Sequence, residues 1–145
     1  MPATGSRTDP YVGSHFFIEI DGVDHGGFTE CAGLQVETEV TDYAEGGNNG
    51  FVHKLAGRTK WTNLTLKWGT TDSVALWEWY QKVTQGQVER KDVSVVLYNS
   101  VQEEVRRWNL REAYPVKWIG PSFNATAPAV AIEALELTHH GFEVE

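Results

Sequence analysis

The residues of this chain best equipped for metal binding or nucleophilic chemistry are five histidines, His15, His25, His53, His139 and His140, and one cysteine, Cys31. No two histidines stand at the i, i+4 spacing of a helical zinc pair, and none has a carboxylate in a ligand pattern beside it. His139 and His140 are adjacent and would project to opposite faces of a strand, so one strand cannot bring both to one ion; a surface or interface role is expected for them. Cys31 has no local nucleophile signature and is expected to be a small, mostly buried thiol. A single cysteine also excludes an intrachain disulfide framework and a Cys-clustered zinc site within one chain, which points to folding in a reducing compartment.

Other patterns fail in the same way. Gly46-Gly47-Asn48-Asn49-Gly50 could cradle an anion, but Phe51, Val52 and His53 follow it instead of a helix opening with Lys and Ser or Thr. Gly57-Arg58-Thr59-Lys60 has the wrong glycine spacing for a phosphate loop. Glu37 and Glu39 share one strand face with Gln35 and Thr41, which reads as a solvated acidic face and not as an acid and base pair. Most of the 6 Trp are expected in the core, Trp68 on an apolar strand face and Trp77 and Trp79 on or beside a helix stripe, with Trp61 and Trp118 ambiguous. No catalytic residue, metal site or cofactor is expected.

The elements that carry these residues belong to one domain, since 145 residues with 41% hydrophobic content suffice for one core and not two. A net charge of -8 removes the attraction that draws proteins to nucleic acid or anionic membranes. No stretch approaches the roughly 18 apolar residues of a membrane span, so stable membrane insertion of the monomer is not expected, and the N-terminus lacks the apolar core of a secretory signal. Residues 1–14, with Pro2, Gly5, Pro10 and Gly13, read as a flexible arm ahead of a domain spanning 15–145. Phe16 to Ile20 is a strand, and Asp21-Gly22 turns it into a second. Leu34, Val36, Thr38 and Val40 alternate with Gln35, Glu37, Glu39 and Thr41, which predicts a half-buried strand.

Residues 41–57 predict a long loop or an extended hairpin arm, because Glu45 to Gly50 cannot hold a regular element. Trp61 to Trp68 alternates again. One helix is expected from Ser73 to Gln85, with Thr71 or Asp72 as N-cap, Gly86 as terminator, and Leu76, Trp79, Tyr80 and Val83 as its buried stripe. Val93 to Asn99 and Val105 to Glu112 form a hairpin, and Pro115 and Pro121 bracket a short piece from Val116 to Ile119. Ala129 to His139 is strand-like, but its apolar phase changes near Glu133, so either both faces are covered or a bulge intervenes. About seven or eight strands and one helix make a mainly β fold, an antiparallel barrel or sandwich with one flanking helix.

Gly33-Leu34, Glu37, Glu39, Tyr43, Glu45-Gly46-Gly47-Asn48, Gly57 and Leu64-Thr65-Leu66-Lys67-Trp68-Gly69 occur in an order similar to that of the tail tube proteins of contractile phages and contractile injection systems. The resemblance continues through Leu76-Trp77-Glu78-Trp79, Arg90-Lys91-Asp92-Val93, Trp108-Asn109-Leu110, Ala113-Tyr114-Pro115-Val116-Lys117, Ile132 to Leu137 and Gly141-Phe142. It implies an inner tube subunit whose hexameric rings stack into a hollow tube, with neighbouring sheets joined around the lumen. A contractile sheath would drive that tube through a target envelope. The implied partners are further copies of the chain, the sheath protein, baseplate or spike and terminator proteins, and a luminal cargo protein or DNA. Assembly in the cytoplasm without a signal peptide, within a phage tail or tail-like particle, is implied as well.

Two alternatives remain at this point: a tube initiator or baseplate adaptor paralogue, and a monomeric β-barrel binding module that uses exposed tryptophans. For a tube subunit, Tyr43, Glu45, Gly46, Gly47, Asn48, Asn49, Gly50 and Phe51 are expected at the subunit or ring interface. Gln35, Glu37, Glu39, Thr41, Asn63, Thr65 and Lys67 are expected to face the lumen, with Leu34, Val36 and Val40 turned inward to the subunit's own core.

Overall fold

The computed structural model describes residues 9–25, 27–43 and 53–145, and places ten strands and one helix among them. β1 (Phe16–Ile20) buries Ile18 and Ile20. It turns through Asp21 and Gly22, with φ of 52° and 78°, the pair of positive values a tight hairpin turn needs, into β2 (Val23–His25). β3 is Phe28–Ala32, β4 Val36–Tyr43, β5 His53–Trp61 and β6 Leu64–Gly69. Helix α1 (Ala75–Thr84) precedes β7 (Lys91–Tyr98), β8 (Glu104–Ile119), β9 (Ile132–Thr138) and β10 (Phe142–Val144). The strand order is β2-β1-β7-β8-β9-β6-β3, with β10 also paired to β8, and β4 and β5 form a separate two-stranded sheet. Every pairing is antiparallel.

β8 belongs to both walls of the body. Its first half pairs with β7 and β10, and its second half, from Tyr114 on, pairs with β9. The expected break at Pro115 is absent: the strand runs through this buried proline, and a register shift between Pro115 and Lys117 accommodates the missing donor. The piece from Val116 to Ile119 is therefore the end of β8. Between the two walls lie Ile18, Ile20, Val93, Val95 and Leu110 from one side and Leu64, Leu66, Leu135 and Leu137 from the other.

The phase change near Glu133 resolves without a bulge in β9. Its ladder to β6 is regular from Leu137 to Ile132, Leu135 and Leu137 fill the core, and Val130 lies exposed before the strand begins. The helix starts two residues later than expected. Its N-cap position is Val74, with no side-chain cap, whereas the Thr71 hydroxyl accepts the Ser73 N–H at 3.4 Å in the preceding turn. Residues 70–73 stay tied to the body because the Thr70 N–H donates to the Ala131 carbonyl. Three of the four stripe residues are as expected, Trp79 entering the core with Leu76 and Tyr80 packed against it, whereas Val83 is only half-buried; Gly86 ends the helix at φ 82°. Trp77 is 38% exposed, and its ring meets Trp118 at 5.2 Å.

Leu135 has no exposed surface and sits at the centre of this core. Leu135→Ala is expected to cost about 2–5 kcal/mol, read as a lower urea midpoint with an unchanged slope; a loss below about 1 kcal/mol would show that the two walls do not pack there as described.

Candidate assembly surfaces

β4 and β5 pair with each other and with no other described strand, so the segment is the extended arm and not the loop, with its strands reaching to Tyr43 and from His53. Its apolar residues are not in the core. Val36 and Val40 are exposed, Val40 at 58%, as are Tyr43 and Leu55, the last at 53%. The expected inward packing of Val36 and Val40 is thus overturned, because the arm leaves the body at Gln35 and has no second layer behind it. Leu34 alone of the three packs against the core. Gln35, Glu37, Glu39 and Thr41 are exposed as well, and alternation along β4 separates two solvent-facing surfaces. Glu45, Gly46, Gly47, Asn48, Asn49, Gly50 and Phe51 lie outside the described residues.

The arm carries an asymmetry that the loop reading concealed. β4 holds Glu37, Glu39 and Asp42, while β5 holds Lys54, Arg58 and Lys60. Cross-strand register sets Glu37 against Lys60 and Asp42 against Lys54, so one edge is acidic and the other basic. The ladder slips between Thr38 and Val40, which adds twist to the ribbon.

At its base the arm is fixed to the body. The Thr62 N–H donates to the Gln35 carbonyl at 3.1 Å, and the Trp61 ring meets Phe142 at 4.9 Å between centroids. Gly141 has φ 110°, and a Cβ there would come within 2.9 Å of Trp61, so glycine is required where the indole seats. His139 lies beneath the same indole. It is buried, not at the surface, because both ring nitrogens have backbone partners: Nε2 donates to the Thr62 carbonyl at 2.9 Å and Nδ1 accepts the Gly141 N–H at 3.0 Å. His140 is exposed, in keeping with the opposite projection of neighbours on a strand.

Asn63, Thr65 and Lys67 are half-buried, and Thr65 and Lys67 alternate along β6 with the buried Leu64, Leu66 and Trp68. Asn63 donates to Glu136 at 2.9 Å, and Lys67 pairs with Glu30 at 3.1 Å. On β7 and β8, Ser94 donates to Asn109 at 2.6 Å. There Arg107, which sequence reasoning did not single out as a site, donates from Nη1 and Nη2 to Glu19 at 2.9 and 3.2 Å, and from Nε and Nη2 to Glu104 at 3.1 and 2.7 Å. Glu104 is close in sequence and could have been suspected; Glu19 arrives only through the β1-β7-β8 register.

Cys31 lines an open cavity of about 330 Å³ with Phe16, Leu34, Val95, Leu97 and Trp108. Burial pushes its thiol up to about 12, so it stays protonated and unreactive at neutral pH. Among the described residues, no group of three His, Cys, Asp or Glu side chains is placed to hold a metal ion. No described helix is long and apolar enough to cross a membrane. A third exposed surface is the uncharged stretch from Gly120 to Ala131, which shows Phe123 and Val130 to solvent and is braced by Asn124 Oδ1 accepting from the Thr126 N–H and hydroxyl.

These features are an exposed ribbon with charged edges on a two-walled β body, and residues 12–143 match the family model described as T4-like virus tail tube protein gp19. The chain belongs to this tail tube family. Among solved structures it is similar to a chain of the sheath-tube complex of an extracellular contractile injection system, PVC, in its extended state. That match has 26% identity and TM-score 0.85, and covers 94% of this chain and 91% of that one. It is similar to a chain of the anti-feeding prophage tube-terminating cap, at 26% identity and TM-score 0.88, covering 97% and 93%. Hcp1 from Flavobacterium johnsoniae, at 18% identity and TM-score 0.55 over 90% of this chain and 94% of that one, shares the fold. No curated protein matches the chain by sequence. As a tail tube protein it is a structural component of a phage tail or tail-like particle, and the binding-module alternative is set aside.

The Arg107 hydrogen bonds hold the Glu104 carboxyl below the usual carboxylate range, and the Arg107 guanidinium is raised in turn. A depressed carboxyl contributes stability above its ordinary value and loses it as pH falls through the lowered one. Arg107→Gln is expected to return Glu104 upward, read by carbon NMR titration of its carboxyl; an unmoved titration would mean that Arg107 does not hold it.

Proposed function

We propose that six copies of this chain close into a ring and that rings stack into a hollow inner tube, with the β4–β5 arm as the joining element. The arm carries the proposal: a lone two-stranded ribbon is marginal in water, and this one exposes Val36, Val40, Tyr43 and Leu55. Its acidic β4 edge and basic β5 edge suit head-to-tail contact between copies, in which the β5 edge of one meets the β4 edge of the next. Contacts of this kind join two different surfaces and generate rings or helical stacks instead of closed pairs. Unpaired backbone along the same edges favours a continuous sheet between copies.

In this reading Gln35, Glu37, Glu39 and Thr41, with Asn63, Thr65 and Lys67, line the channel. Lys54, Arg58 and Lys60 temper its acidity, so the wall is mixed in charge and holds neither DNA nor a protein cargo tightly. Glu45 to Phe51, outside the described residues, and residues 1–14 serve the same contacts. The domain is one unit, residues 15–145, with the arm as its extension. A sheath outside, a baseplate or spike at one end and a terminator at the other complete the particle, which is assembled in the cytoplasm. The role is structural, with no catalysis.

Val40→Asp with Leu55→Asp removes the arm's apolar contacts without touching the core. The expected outcome is a subunit with unchanged circular dichroism and melting that no longer forms filaments by electron microscopy, and deletion of Gly46 to Gly50 is expected to do the same. Filaments of normal length from the double variant would sink the arm as the joining element. Wild-type rings that cap a stack without extending it would favour the adaptor paralogue.

A further inference from the structure

The turn between β9 and β10 holds two neighbouring histidines whose hydrogen bonds both require a neutral ring. His139 Nε2 donates to the Thr62 carbonyl, so its Nδ1, which accepts the Gly141 N–H, carries no proton. His140 Nε2 lies 3.1 Å from Arg90 Nη1; a guanidinium only donates, so this nitrogen accepts. A proton added to His139 Nδ1 would point at the Gly141 N–H. One added to His140 Nε2 would face a cation.

The His139 contacts bear directly on the base of the arm, and His140 is joined to them through the turn the two residues share. His139 holds Thr62, the residue after β5, and packs under Trp61, the last residue of β5, at 6.3 Å between centroids. Gly141, which His139 fixes, is the floor on which the Trp61 indole rests, and Phe142 beside it meets that indole edge-on. The same turn is tied to β8, where the His140 N–H donates to the Arg111 carbonyl and the Arg111 N–H to the Gly141 carbonyl.

We propose that His139 and His140 form a proton-sensitive latch that holds the root of the β4–β5 arm on the body and loosens it when the pair takes up protons. The charged groups on the surrounding elements do not offset the added charge. Arg90, ahead of β7, faces His140 and also sits over the Tyr114 ring. Arg111 on β8 pairs with Glu143 of β10, and Glu136 on β9 accepts from Asn63. Lys60 on β5 is a further cation beside Trp61. Among the described residues, neither histidine has a carboxylate in an ion pair. The sign is set by geometry: the closed latch fits the neutral rings, so added protons work against it and opening is favoured as pH falls.

The consequence for assembly rests on the arm being the joining element; the latch itself does not. The test is hydrogen exchange by mass spectrometry on the full chain at about pH 7.5 and about pH 5.5, corrected for intrinsic exchange. Wild type is expected to show roughly tenfold faster exchange at the lower pH in peptides covering residues 53–61 and 139–145. His139→Gln with His140→Gln keeps a donor and an acceptor at each site but cannot titrate, and is expected to show no such rise. Equal rises in variant and wild type, which would implicate His53 or another group, overturn the latch, as does a wild type that does not respond.

Should the double variant fail to fold, nitrogen NMR of the wild-type rings decides: His139 gaining its Nδ1 proton while the Trp61 indole signal stays fixed overturns the proposal, and a concerted shift supports it. Pelleting of tubes at both pH values separates the two readings. Arms that loosen while tubes persist unchanged support the latch and count against the arm as the joining element.

Discussion

A strand of sixteen residues that joins both walls of one eight-stranded sheet is the constraint from which the rest of this subunit follows. β8 cannot run flat over that length and still face one core, because strand twist rotates its side-chain directions steadily. The chain yields at defined places: register slips opposite Lys91–Val93, where Glu112 takes φ 54°, and at Pro115–Lys117. Through these irregularities Leu110 and Ala113 in the first half and Trp118 in the second reach the same interior. The two walls are thereby closed around one core without a second long connection. The helix fills the remaining side, with the Trp79 indole donating to the Glu89 carbonyl at 2.7 Å as its one buried polar group is satisfied.

With the body closed in this way, the arm has no layer to pack on. A sheet normally protects its edges or covers its apolar face, and β4–β5 does neither. The isolated subunit thus leaves apolar area and unpaired backbone in one place, set on a rigid seat made by Trp61, Gly141 and Phe142. Firm at the root and unsatisfied along its length, the ribbon has a fixed direction of departure, which is what a contact between identical copies needs if the rotation is to close.

How much of this could be read in the residues depends on what determines each feature. The Asp21-Gly22 turn, the helix stripe and the β7–β8 hairpin are set by local spacing, and these were legible. So was the outward polar face of β6, because period-two alternation fixes it wherever a core lies behind. Val36 and Val40 misled for the converse reason: alternation shows that a strand has two unlike faces, but not that the apolar one is covered by the same molecule. Pro115 misled because a proline that would break an ordinary ladder is tolerated at a bulge, and the bulge is dictated by a partner strand distant in sequence, where Pro115 faces Leu137. His139 was placed at the surface because nothing adjacent to it in sequence reveals the Thr62 carbonyl or the Gly141 N–H that satisfy it.

The charge of the chain then has to be reconciled with polymerisation, since copies carrying -8 repel one another. The arm is the part least affected. Its strands β4 and β5 carry three acidic and three basic side chains, sorted by strand, so contact in one sense is attractive and in the other repulsive. At physiological ionic strength, screening over about 8 Å leaves such edge contacts in force while muting the repulsion between whole subunits. If copies join through the arm as proposed, electrostatics selects the direction of assembly more than it supplies its free energy, which the apolar side chains and unpaired backbone of the ribbon are placed to provide. An acidic body with a polarised arm is consistent with a subunit that stays dispersed until the arm is engaged and then adds in a single sense.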